Sequence, residues 1–130
     1  MMQIQNIFYA RRGIIDREQN TLSVIDIIEE IGFKTFPAGF IESALIVIFE
    51  RVKETDKKTF EVTFNIKHVN KLIGSKTLEI DLTIENRNRT ILNIPAIHFP
   101  EAGMLEFEIL CNKKILETYQ IEVKINPAIQ

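Results

Sequence analysis

Phe60-Glu61-Val62-Thr63-Phe64-Asn65-Ile66-Lys67 alternates without a fault between apolar and polar residues. Successive side chains of an extended chain point to opposite faces, so this order places Phe60, Val62, Phe64 and Ile66 on one side and polar groups on the other. Wound as a helix, the same residues would scatter their apolar groups around the axis. The stretch reads as a half-buried β-strand, and it sets the fold class.

Its neighbours repeat the pattern. Downstream, Leu78, Ile80, Leu82 and Ile84 alternate with Glu79, Asp81, Thr83 and Glu85. Nearer the C-terminus, Leu105, Phe107, Ile109 and Cys111 share a face, Asn112 to Lys114 turn the chain, and Tyr119, Ile121, Val123 and Ile125 share a face on the return. This is the clearest hairpin in the sequence. Less regular strands are predicted over Gln3 to Ala10, Thr21 to Ile28, Ile41 to Arg51 and Thr90 to His98, the last interrupted by Pro95, which belongs at an edge or a bulge. Val24, Ile27, Ile28 and Ile31 also fit a helical spacing, with Ser23 to cap and Gly32 to close. The strand is preferred, because β-branched side chains pack well on a pleated surface. Breaks are expected at Ile31 to Phe40, with Gly32, Pro37 and Gly39, and at Ile73 to Lys76 around Gly74.

About eight strands with short reversing connections, each burying one face, imply an all-β fold of two packed antiparallel sheets, a β-sandwich, with a barrel as the alternative. A chain of 130 residues has enough material for a single such domain over 1–130, and 45% hydrophobic with 26% charged residues is ordinary globular composition. No apolar run approaches the length of a membrane-spanning helix. The start, Met1 to Ala10, is interrupted by Gln3, Gln5 and Asn6 and followed by Arg11 and Arg12, which is not the order of a signal peptide. A cytoplasmic protein without membrane association is the expectation.

The stretch Phe99, Pro100, Gly103, Leu105, Phe107, Ile109, with the Asn112 to Lys114 turn and Ile121 to Val123, resembles the last hairpin of immunoglobulin-like sandwiches, where a Pro-x-x-Gly corner leads into the penultimate strand. Met104 departs from that pattern, as does the lack of a tryptophan or a cysteine pair. The first third, with Phe8, Tyr9, Ala10, Ile14, Ile15, Asp16, Asn20 through Ile31, Phe36 and Pro37, resembles a family of uncharacterised bacterial and phage proteins of similar length. That resemblance implies a fold and carries over no activity.

Catalytic constellations are weak. Nucleophilic catalysis needs a Ser or Cys beside an oriented base, and the only imidazoles are His68 and His98, placed by strand direction at one pole. Cys111 is alone and in the inward register, which suits a buried thiol better than a reactive one, and with two histidines it cannot build a typical zinc site. Gly74-Ser75-Lys76-Thr77 lacks the adjacent Gly-Lys of a phosphate loop and reads as a turn. Asn88-Arg89-Thr90 is a glycosylation sequon without a secretion signal. Glu79, Asp81, Glu85, Glu106, Glu108 and Glu122 alternate with core positions, as solvated strand faces do. No catalytic residue, metal ligand or cofactor site is assigned, and the chain is read as no enzyme.

Two features remain. If consecutive strands reverse, the connections Arg11 to Asn20, Val52 to Lys58, Asn86 to Arg89 and Asn112 to Lys114 share one end and carry +1, +1, +2 and +2, leaving −8 for the rest of a chain whose net charge is −2. Arg11, Arg12, Arg87, Arg89, Lys113 and Lys114 are then candidates for binding an anionic group or partner. The overall charge and the absence of aromatic residues from these loops argue against nucleic acid. Separately, Ile41, Leu45, Val47 and Phe49 fill one face of their strand while Ala44, Ile46 and Ile48 face the other way. Either a loop of the same chain or a second subunit must cover Ile46 and Ile48, which makes them candidates for a homodimer interface. The expected function is a non-catalytic protein–protein interaction or scaffold domain. The alternative is a ligand-binding sandwich that recognises an anion through its basic loops.

Overall fold

In the computed structural model, residues 2–52, 58–83 and 85–127 are described, and among them the regular structure is entirely β. The strands are β1 (Met2–Asp16), β2 (Thr21–Ile27), β3 (Glu30–Phe33), β4 (Ala38–Phe40), β5 (Ser43–Arg51), β6 (Thr59–His68), β7 (Lys71–Asp81), β8 (Arg87–Ile94), β9 (Ile97–Phe99), β10 (Gly103–Cys111) and β11 (Lys114–Ile125). They form a four-stranded sheet in the order β2-β1-β5-β8, a five-stranded sheet in the order β3-β11-β10-β6-β7 and a small β4-β9 ladder. The β-sandwich expected from the alternation is present. Eleven strands replace about eight, and β3 runs parallel to β11.

The extra strands lie where turn-forming residues suggested breaks. The segment 31–40 contains most of β3 and all of β4, on either side of the cis Phe36–Pro37 peptide bond. The expected break around Gly74 is instead the interior of β7. The chain reverses before that, at Val69 and Asn70, with φ values of 51° and 62°. Asn112 and Lys113, at φ 53° and 65°, close the predicted β10–β11 hairpin. Pairs of left-handed residues give a turn whose twist matches that of the strands it joins. Pro95 lies between β8 and β9, and the segment beginning at Thr21 is the preferred strand. Ile84, expected to face inward, and most of the 52–58 connection lie outside the described residues.

Contacts divide the chain into two compact units. The first comprises the described residues of Met1–Ile7, Val47–Thr90 and Met104–Gln120. Its core includes Val62, Phe64, Leu105, Phe107 and Ile109, all but excluded from solvent, and the Phe49 ring of β5 meets the Phe64 ring of β6 edge-on at 6.3 Å. Glu108 is buried on the opposite side of β10 from Phe107 and Ile109, with its carboxylate 3.0 Å from the Lys67 ammonium of β6.

The second unit comprises Phe8–Ile46, Ile91–Gly103 and the described residues of Ile121–Gln130. Phe33 of β3 packs against Phe36, Phe40 and Phe99, with ring centroids 5.6, 6.4 and 6.0 Å away. On β1 and β5, Ala10, Ala44 and Ile46 form a buried cluster, against which Phe8, Leu22, Val24 and Ile91 pack. Ile46 is thus covered by its own chain. Ile48, assigned to the first unit, is half-buried.

Candidate functional site

Arg11 and Arg12 were expected in a loop. They lie instead within β1, which continues to Asp16, so the reversal into β2 is confined to 17–20. The ladder between these strands is regular from Arg12↔Ile25 to Asp16↔Thr21 and resumes at Ala10↔Ile27. Between them Asp26 adopts φ 56°, a left-handed conformation that Asp tolerates better than most residues. The strand deforms here. Ile28, beyond the end of β2, still donates its backbone N–H to the Tyr9 carbonyl at 2.7 Å.

An open groove of about 680 Å³ follows this irregularity, lined by Arg11, Arg12, Ile25, Asp26, Ile41 and Glu42. It adjoins a hollow of about 390 Å³ where Ile27, Ile28, Glu29, Glu30 and Phe40 add to the lining. One wall is the chain at Phe40 to Glu42, held by the β4–β9 ladder and by the contact of Phe40 with Phe33. Next to Glu42 in the chain, the buried Ser43 hydroxyl shares a hydrogen bond of 2.8 Å with the buried Tyr9 hydroxyl. Burial raises the Tyr9 pKa above its ordinary value, against a smaller lowering by the Ser43 hydrogen bond, so the phenol remains neutral at physiological pH.

The groove carries both signs of charge. Arg11 and Arg12 line it together with Asp26 and Glu42, and the adjoining hollow adds Glu29 and Glu30. Glu30 is already engaged by Lys124 at 2.9 Å, a hydrogen bond and charge pair that raise the lysine's pKa. Ile27 and Ile41 are each at least half exposed. The result is amphipathic and zwitterionic. Asp26, Ile41 and Glu42 were missed from the sequence because no motif ties them to the arginine pair. The one available signal was a lone acid within the apolar run Ile25-Asp26-Ile27-Ile28.

Of the six basic candidates, Arg11 and Arg12 belong to the second unit, and Arg87, Arg89, Lys113 and Lys114 to the first. Arg87 and Arg89 lie in β8, Lys113 in the hairpin turn and Lys114 at the start of β11. His68, in the first unit, is buried, and His98, in the second, is exposed. Cys111 is half-buried rather than buried, because it ends β10 beside the turn, where solvent reaches the strand. Thr90 of the sequon donates its hydroxyl to Asn88 at 2.6 Å, and the Asn88 amide donates to the Asp81 carbonyl. Among the described residues, no cluster of three or more His, Cys, Asp or Glu side chains is arranged to hold a metal, and no helix is long and apolar enough to cross a membrane.

A family of unknown function, DUF6941, matches residues 13–124, most of the chain. The chain is a member of DUF6941. The match begins within β1, two residues past Arg11, and ends within β11, so the groove residues Ile25, Asp26, Ile41 and Glu42 fall inside the family region and the arginine pair just before it. No curated protein matches this DUF6941 chain.

Proposed function

We propose that the DUF6941 chain is a non-catalytic protein–protein interaction or scaffold domain whose Arg11–Glu42 groove docks an extended segment of a partner polypeptide. The observation that carries this reading is the mixed lining: two arginines and two acidic residues with the half-buried Ile25 and the exposed Ile41. A small anion gains from the guanidinium pair and loses to Asp26 and Glu42, whereas a polypeptide offers side chains of both signs and apolar groups together. Open, shallow grooves of this kind suit side-chain docking better than enclosure of a small molecule. Burial leaves Ile46 no surface to offer a second subunit directly, which turns attention from that sheet face to the groove.

The second reading, recognition of an anion, draws on the adjacency of Arg11 and Arg12. One set of measurements separates the two. A photo-crosslinking amino acid at Ile41, with a control at Lys114, is expected to capture a discrete partner from the source cell only at Ile41, and Arg11→Glu/Arg12→Glu should lose it while keeping the native circular dichroism. Polyphosphate titrated at low salt should neither bind nor compete. Binding of polyphosphate that weakens steeply with salt and vanishes in the double variant would instead establish the anion reading. Equal capture at both positions would remove the groove from either account.

A further inference from the structure

The longest strand at the border of either large sheet is β7, eleven residues paired on one side with β6 from Thr59↔Asp81 to His68↔Lys71. Among the described residues no strand lies on its other side. An open edge of this length presents a row of backbone donors and acceptors that another strand can use. It contains no proline.

Its chemistry favours a copy of itself. Lys71 opens it, Lys76 is its middle residue, and Glu79 and Asp81 lie in its last part. Full-register antiparallel pairing of two β7 strands sets Lys71 of each copy against Asp81 of the other and the two Lys76 side by side at the centre, while parallel pairing lays like on like throughout. At the hairpin end, Val69, Leu72, Ile73 and Met104 are 43–54% exposed, and the Val69 N–H donates to the Met104 carbonyl at 3.1 Å; antiparallel pairing would bring this end beside the other copy's last residues, with Leu72 opposite Ile80.

One residue opposes this pairing. Paired residues of an antiparallel ladder share a face, and Lys76 is paired with Phe64, which is buried against Phe49. Val62↔Leu78 and Phe60↔Ile80 continue the same face. Lys76 therefore stands in the inward register of the edge yet is exposed, and among the described residues no strand lies beyond β7. A strand added there would extend the sheet over that ammonium and strip its water. The ladder is also irregular close by: it passes from Ile66↔Gly74 to Lys67↔Leu72, leaving Ile73 as an extra, bulged residue. At the far end the Asn88 amide occupies the Asp81 carbonyl.

We propose that β7 is a self-complementary edge guarded by Lys76: the chain carries a surface fitted to a second copy of itself, and the inward lysine keeps that surface unpaired. The Arg11–Glu42 groove plays no part in this, so either proposal stands without the other.

Sedimentation equilibrium of wild type, Lys76→Val and Lys76→Glu at matched concentrations tests it. Wild type and Lys76→Glu are expected near the 15.1 kDa of one chain, and Lys76→Val near twice that mass. Lys76 is exposed, so the variants should keep the wild-type circular dichroism. Amide hydrogen exchange locates the contact: protection in Lys76→Val should rise with concentration along β7 and not along β2 or β8. A second valine variant, Lys76→Val/Thr77→Lys, moves the charge to the opposite face and should still dimerise. The proposal fails if Lys76→Val remains one chain in mass, if its added protection lies elsewhere, or if wild type already pairs through β7.

Discussion

Gly13 in β1 and Gly74 in β7 both sit in strand interiors without unusual backbone angles, yet their surroundings are opposite. A Cβ on Gly13 would stand 2.8 Å from Ile46 Cγ1 and 3.1 Å from Ile91 Cδ1. A Cβ on Gly74 would meet only Ile66, at 3.7 and 3.9 Å. Around Gly13 the sheet face is closed by its own chain: the missing side chain is filled by isoleucines, and Ala10, Ala44 and Ile46 lie beneath Phe8, Leu22, Val24 and Ile91. Around Gly74, among the described residues, β7 is the last strand of its sheet. The same residue type thus serves close packing in one unit and marks unfinished packing in the other. Of the two side chains that look spare in the sequence, Ile46 is covered and Ile48 half-buried, and the uncovered surface lies on a strand whose middle looks like a turn.

The largest effect should come from removing the centre of the closed face. Ile46→Ala deletes a fully buried side chain whose neighbours are themselves anchored in strands, and a loss of about 2–5 kcal/mol is expected. Urea denaturation followed by circular dichroism measures it. A loss below about 1 kcal/mol would mean that the cluster yields easily, and would reopen Ile46 as a residue that a second subunit helps to cover.

Gly13→Ala attacks the same face by overfilling it. The added methyl meets Ile46 at Cγ1, a branch atom close to the backbone that cannot swing aside as a chain tip would. A destabilisation of about 1–3 kcal/mol is expected. Combining it with Ile46→Val, which removes a methyl from the same contact, should recover part of the loss. Independent, additive effects would show that the two sites do not share a space.

How much of this was legible before the structure depends on what kind of residue carried it. β6, β10 and β11 are readable because each alternates cleanly, and the β10–β11 turn because Asn112 and two lysines interrupt the alternation, Asn being a residue that tolerates a left-handed backbone. β7 was cut in two by Gly74 and by a bulge that shifts the alternation by one residue at Ile73, while the true reversal uses Val69, a β-branched residue seldom found at positive φ. β3 and β4, four and three residues long, are defined by partners distant in sequence and leave no period to detect. Arg11 and Arg12 are plain in the sequence as charges, but two consecutive arginines inside a strand carry the same signature as the strand's end. Their acidic counterparts, Asp26 and Glu42, reach the groove through β2 and the β4–β5 connection, a convergence that only the strand pairing creates.

The smallest effect should come from Gly74→Ala, which separates an open edge from a merely empty one. The position is extended and its new Cβ makes ordinary contact with Ile66, so the native state bears no clash. The unfolded chain loses conformational freedom when glycine is replaced, which alone stabilises by about 0.4–1 kcal/mol. Against this, the methyl is poorly covered at a border strand and gains little from burial. A net change between zero and about 1 kcal/mol, in the stabilising direction, is expected from urea denaturation at low protein concentration. A destabilisation comparable to that of Gly13→Ala would show that β7 needs a bare backbone at Gly74, as it would if another segment approached there. Repeating the measurement at high concentration distinguishes the two: a penalty that grows with concentration points to a neighbouring copy, and one that does not points to the chain's own packing.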